Sequence, residues 1–254
     1  MKEETLNRAK AFTFRTICLR KPSRYFTLKY WGFRLLGSLR LYEGAHLRYL
    51  SRTVNPGDRA YDLGAHFGVY TRLLSRRVGD HGRVVAVEPF DACITRLDGI
   101  AKARGNVDVV PAAIGSRAGS AMLHVPLLNG LIPEPAIAQI ADQTEDTWAG
   151  SHMVSVVTIQ TLVDQFGPPD ILKADIEGQD HVVLEALLDM PEETRPRLVL
   201  LEVWDMARVA PLLEALEEEA GYRVCVLQGG QLVAPPAENH RDDQNIYLIR
   251  PVTR

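Results

Sequence analysis

Tyr61-Asp62-Leu63-Gly64-Ala65-His66-Phe67-Gly68 lies between a short apolar run and an amphipathic stretch, so it reads as the turn from a β-strand into an α-helix. Its glycines let the backbone turn sharply and come close to a ligand, and Asp62 puts a carboxylate at the strand's carboxyl end. Open α/β sheets bind ligands at that end. The glycine spacing is not the G-x-G-x-x-G that seats a pyrophosphate on a helix N-terminus. An acidic residue beside an open glycine loop suits a ligand that carries positive charge and no phosphate.

Working outward, short apolar runs alternate with amphipathic stretches, the pattern of βαβ units and a mainly parallel sheet. Strands are expected at Arg59–Leu63, Arg83–Val87, Val107–Val110, Ile171–Ala174 and 197–203, with shorter β pieces at 121–125 and 154–159. Helices are expected at 68–77, 92–103, 179–188 and 209–220. Two closing strands at 222–227 and 245–249 follow, with a hairpin turn at 228–230. The segment 126–150 holds three prolines and little periodicity, and reads as an excursion over the sheet and a candidate acceptor lid. Asn55-Pro56-Gly57-Asp58 is a strong turn signal. It divides a helical extension over residues 1–54, built around Leu6, Ala9, Phe14 and Ile17 and then Phe26, Trp31, Leu35 and Leu39, from a domain over 55–254.

Two further stretches sit at strand ends. Glu88-Pro89 closes the second strand, 26 positions after Asp62, where a carboxylate can accept hydrogen bonds from both hydroxyls of a ribose. Ile171-Leu172-Lys173-Ala174-Asp175-Ile176-Glu177-Gly178 runs from a strand to a helix and sets Asp175 and Glu177 on the same rim, with Lys173 two positions earlier on the same face as Asp175. A glycine loop with Asp62 and Glu88 fits S-adenosylmethionine, which carries an ammonium, a carboxylate and a sulfonium.

The set Asp62-x-Gly64-Ala65-x-x-Gly68, Glu88-Pro89 and Lys173-x-Asp175-Ile176-Glu177-Gly178 resembles the FkbM family of methyltransferases over roughly residues 55 to 205. The resemblance implies a Rossmann-like class I methyltransferase fold, α/β, with a mainly parallel seven-stranded sheet and helices on both faces. It also implies S-adenosylmethionine as methyl donor and O-methylation of hydroxyls on sugars, glycans or other natural products. On this basis Asp62, Gly64, Ala65, His66, Phe67, Gly68, Glu88, Pro89, Ala113 and Asp175 are expected around the donor. The chain departs from the family pattern at His66, where asparagine is usual, and at Gln179-Asp180, where a small residue and glutamate are usual.

Methyl transfer to a hydroxyl needs a group that takes the hydroxyl proton, and Asp175, Glu177 and Glu202 are the candidates. His66 and His181 are weaker ones. Asp175, Glu177 and Asp180 also offer hard oxygen ligands to a divalent metal, at a spacing too unspecific to favour one. N-methylation, and a non-catalytic module that binds an adenosyl cofactor, are the competing readings.

Composition bounds the setting. With 46% hydrophobic and 24% charged residues, the chain is an ordinary globular protein. Cys18, Cys93 and Cys225 are scattered, and arginines interrupt every apolar run near Met1, so a cytoplasmic protein without signal or membrane span is expected. Residues 1–52 carry a net +9 against −12 for the remainder. Interleaved with aromatics, this basic arm is a candidate contact for a second subunit, a membrane surface or an anionic acceptor. The acidic body and the lack of a recognisable motif argue against nucleic acid.

Overall fold

In a computed structural model, residues 44–128, 132–133, 139–140, 148–176, 178–235 and 244–251 are described. The two helices expected before residue 40, and with them most of the basic arm, lie outside these residues, as does Glu177.

The chain enters through α1 (Gly44–Thr53) and β1 (Arg59–Leu63), then α2 (Val69–Val78), β2 (Arg83–Val87), α3 (Asp91–Arg104) and β3 (Val107–Val110). Next come β4 (Ala113–Ile114), β5 (Gly119–Leu128), β6 (Ile132–Pro133), β7 (Gln139–Ile140) and β8 (Trp148–Val157). After them run α4 (Ile159–Phe166), β9 (Ile171–Ala174), α5 (Asp180–Asp189), β10 (Leu198–Val203) and α6 (Met206–Glu218). Three strands close the chain, β11 (Arg223–Gln228), β12 (Gln231–Val233) and β13 (Gln244–Ile249).

The main sheet has eight strands in the order β12-β11-β13-β10-β9-β1-β2-β3. Strands β10, β9, β1, β2 and β3 pair in parallel, while β13 runs antiparallel to β10 and β11. Seven strands were expected; the eighth is β12, which the turn at Gly229 and Gly230 folds back onto β11. Both faces are covered, so the central strands are apolar at nearly every position. Tyr61, Leu63, Val85, Val87 and Leu172 face α4, α5 and α6 through Leu162, Val183, Leu187 and Leu216. The alternate residues Ala60, Val84, Ala86, Ile171 and Leu200 face Leu50 of α1, Leu74 of α2 and Leu97 of α3. Each large apolar side chain buried this way stabilises the fold by about 2 kcal/mol.

Two expectations are corrected. The described ends of the excursion at 126–150 are β-structure: β5 and β8 pair antiparallel from Gly119↔Val156 to Pro126↔Trp148, in a second sheet ordered β4-β8-β5-β6. The strand expected at 154–159 stops at Val157, because the Thr158 side chain accepts from the Thr161 N–H at 3.0 Å and caps α4. None of the helices among the described residues is long and apolar enough to cross a membrane.

Candidate active site

The register between β1 and β9 sets Asp62 directly opposite Lys173. Neighbours in register share a sheet face, so both side chains point toward α2. There Thr71 donates from Oγ1 to Asp62 Oδ2 at 2.6 Å. Lys173 Nζ lies 3.7 Å from Asp62 Oδ1 and 3.5 Å from Asp175 Oδ2, donates to the Gly64 carbonyl at 3.2 Å, and sits 5.2 Å over the Tyr70 ring. Asp62 has no exposed surface. Burial pushes its carboxyl above the usual range, against the pull of Lys173 and the Thr71 hydrogen bond. In this structure its contribution to a ligand site runs through Lys173, Thr71 and the loop.

The loop after β1 has positive φ at every second residue, +73° at Gly64, +48° at His66 and +78° at Gly68. Ala65 and Phe67 between them are buried. A Cβ on Gly68 would stand 2.4 Å from Ile100 Cδ1, so a side chain there would have to displace the end of Ile100 on α3. The N–H groups of Gly64 and Ala65 both donate to the Val87 carbonyl at 3.0 Å, tying the loop to the end of β2. The next residue of that strand end, Glu88, receives two more backbone donors: His66 N–H to Oε2 at 2.8 Å and Phe90 N–H to Oε1 at 2.9 Å. Each oxygen keeps a second lone pair. Burial pushes the Glu88 carboxyl up to about 7, partly opposed by those two hydrogen bonds and by Lys173.

Because this carboxyl holds its proton more tightly when folded, its ionisation weakens the donor-free fold. The unfolded chain loses that proton near 4.5, so stability falls as pH rises from there through 7, by about 3 kcal/mol from this group. Urea unfolding at pH 5 and pH 8 is expected to show that slope in the wild type and to show it reduced in Glu88→Gln. Equal slopes in the two proteins contradict the assignment.

Glu88 is followed directly by Pro89 and Phe90, which with Pro111 and His152 line a cavity of about 850 Å³; Phe90 and His152 meet edge to face at 6.2 Å. Its size and its mixed lining, with Asp91, Thr95, Arg96 and Ser155 beside apolar and aromatic side chains, suit a small organic ligand. Ala113, expected at the donor, lies in β4 and pairs with Val156 of β8.

The other side of the rim is acidic. Asp175 follows β9, half-buried, with its N–H bonded to the Leu63 carbonyl at 3.0 Å; Glu202, also half-buried, ends the neighbouring β10. Asp180, considered above as a metal ligand, is buried at the start of α5 and accepts from the Trp204 N–H at 2.8 Å, which ties that helix to the end of β10. No group of three metal-ligating side chains occurs among the described residues. Arg208 donates to His181 Nε2 at 2.8 Å; a guanidinium only donates, so that nitrogen accepts and Nδ1 carries the proton. Partial burial and Arg208 hold the His181 imidazole below its usual range, and Nε2 is engaged.

The structure thus brings Asp62, Gly64, His66, Gly68, Glu88 and Asp175 into one constellation. It adds Lys173, Thr71 and Tyr70, to which sequence reasoning gave no role. Only Lys173 was visible there, as a charge two positions before Asp175.

Residues 62–224 match the family model described as the methyltransferase FkbM domain. The chain is 27% identical over 190 residues to methyltransferase sdnD of Sordaria araneosa, which covers 64% of this chain and 73% of that protein. Among solved structures it resembles methyltransferase FkbM from Methylobacillus flagellatus, with 15% identity and a TM-score of 0.49, over 75% of this chain and 43% of that one, so it spans less than half of the Methylobacillus chain. Fibrillarin from Aeropyrum pernix, solved with natively bound S-adenosyl-L-methionine, aligns over 77% of this chain and 68% of its own, at 15% identity and a TM-score of 0.41. With a glycine loop after β1, Glu88 and Asp175 at the ends of the strands on either side of it, and the family's domain model spanning well over half its length, this chain belongs to the FkbM methyltransferase family.

Proposed function

We propose that the protein uses S-adenosylmethionine to O-methylate a hydroxyl of a sugar, glycan or other natural-product acceptor. The observation that carries the reading is the acidic rim beside the glycine loop: Asp175, fixed by Lys173 at 3.5 Å, with Glu202 at the end of the next strand. Bound S-adenosylmethionine supplies an electrophilic methyl group. The residues present suit it, because two acids and the loop favour a net positive ligand, Glu88 has lone pairs for two ribose hydroxyls, and the cavity by Pro89 and Phe90 suits a flat base.

A hydroxyl holds its proton firmly near neutral pH, so a carboxylate within hydrogen-bond reach must accept it as the oxygen is alkylated. Asp175 takes that role, with Glu202 placed to orient the acceptor. An amine acceptor would need such a base far less, which is why the acidic rim favours oxygen over nitrogen. Asp175→Asn is expected to fold, to bind donor within threefold of wild type, and to lose turnover by about 100-fold or more across a panel of sugars, glycans and natural-product alcohols. Near-normal turnover rejects the role of Asp175, and methylation of amines in place of alcohols rejects the oxygen acceptor.

A further inference from the structure

We propose that Lys173 is a positioning residue that locks the glycine loop, Asp62 and Asp175 into one unit and thereby sets how well the pocket receives the donor. This rests on the reading that the pocket binds S-adenosylmethionine. Lys173 is 5% exposed and sits in β9, between β10 and β1, opposite Asp62 in register. A buried ammonium is unfavourable unless it is surrounded by acceptors. Here it reaches one carbonyl of the ligand loop at 3.2 Å, one carboxylate below the loop at 3.7 Å and one carboxylate on the acceptor rim at 3.5 Å. The three partners lie on three different segments of the site, which makes the lysine a tie between them.

The same ammonium acts on Glu88 through space. The groups facing Glu88 are Asp62 from β1, Lys173 from β9 and the backbone donors of His66 and Phe90; Lys173 favours the ionised carboxylate and Asp62 opposes it. Removing the lysine charge therefore loosens Asp175 and the loop, and also makes Glu88 keep its proton to higher pH.

The test is titration of the full chain with S-adenosylhomocysteine between pH 5.5 and 8.5, in the wild type, Lys173→Met, Asp62→Asn and the double variant. Wild-type affinity is expected to rise with pH through about 7, as Glu88 ionises. In Lys173→Met the midpoint should move up by about one unit, with roughly tenfold weaker binding at pH 7. Asp62→Asn should move it down, and the double variant should lie about one unit above Asp62→Asn. That last comparison stands even where Lys173→Met alone, which leaves a buried carboxylate without its cation, does not fold. Unchanged affinity and midpoint in folded Lys173→Met, or a double variant that matches Asp62→Asn or does not fold, overturns the proposal and makes the lysine a support of the fold. Absence of binding by the wild type sinks the methyl-donor reading itself, which is a separate outcome.

Discussion

Glu88→Gln is expected to weaken S-adenosylmethionine binding by about 100-fold while the protein stays folded. Both carboxylate oxygens already accept a backbone N–H, from His66 at 2.8 Å and from Phe90 at 2.9 Å. That fixes the group at the strand end and leaves one lone pair on each oxygen. A glutamine must turn its NH₂ toward one of those two backbone donors, so one hydrogen bond becomes a donor-donor conflict and one acceptor for the ribose disappears. Hydrogen bonds to a charged group contribute about 1.5–3 kcal/mol each, which corresponds to a loss of the stated size. Calorimetric titration measures it, with circular dichroism as the control on folding. Affinity within threefold of wild type would remove Glu88 from the donor site.

Gly64→Ala is expected to destabilise the protein by about 3 kcal/mol or more, lowering Tm by about 10 °C. Two effects add. The residue has φ +73°, and a Cβ there would stand 1.8 Å from the Asp175 carbonyl oxygen. The oxygen cannot easily retreat, because the Asp175 N–H is bonded to the Leu63 carbonyl at 3.0 Å, joining β1 to β9. Gly105→Ala is the matched control: its φ is +74°, but nothing lies within 4 Å of the added carbon, so only the backbone strain of about 1 kcal/mol is expected. Thermal melts of the two variants separate contact from strain. Equal losses would mean that the approach of the two strand ends is not tight.

The contrast between these residues explains what was legible in the sequence. The limits of β1, β2, β3 and β9 could be read directly, because each is a short apolar run stopped by glycine, proline or a charged turn, and a strand buried on both faces needs such a run. Helix α4 escaped notice because Val154 to Ile159 is β-branched at every position but Ser155, and the cap formed by Thr158 and Thr161 is a local hydrogen bond that composition does not announce. The hairpin of β5 and β8 was hidden by the prolines at its distal end, and β12 by its brevity. At the site, glycines and strand-end acids were visible because backbone geometry and strand position follow from local sequence. The role of Lys173 was not, since it depends on which strand lies beside which and on α2 closing over the pair. The sequence put Asp62 beside an open glycine loop; only the packing of Thr71 and Lys173 around it shows that the carboxylate is enclosed.

The most direct test of the account is a calorimetric titration of the intact wild-type chain with S-adenosylmethionine at pH 7.5, above the midpoint expected from Glu88. One molecule should bind per chain with micromolar affinity and be displaced by S-adenosylhomocysteine. No binding at millimolar donor would contradict the assignment of the loop and Glu88 to a methyl-donor pocket.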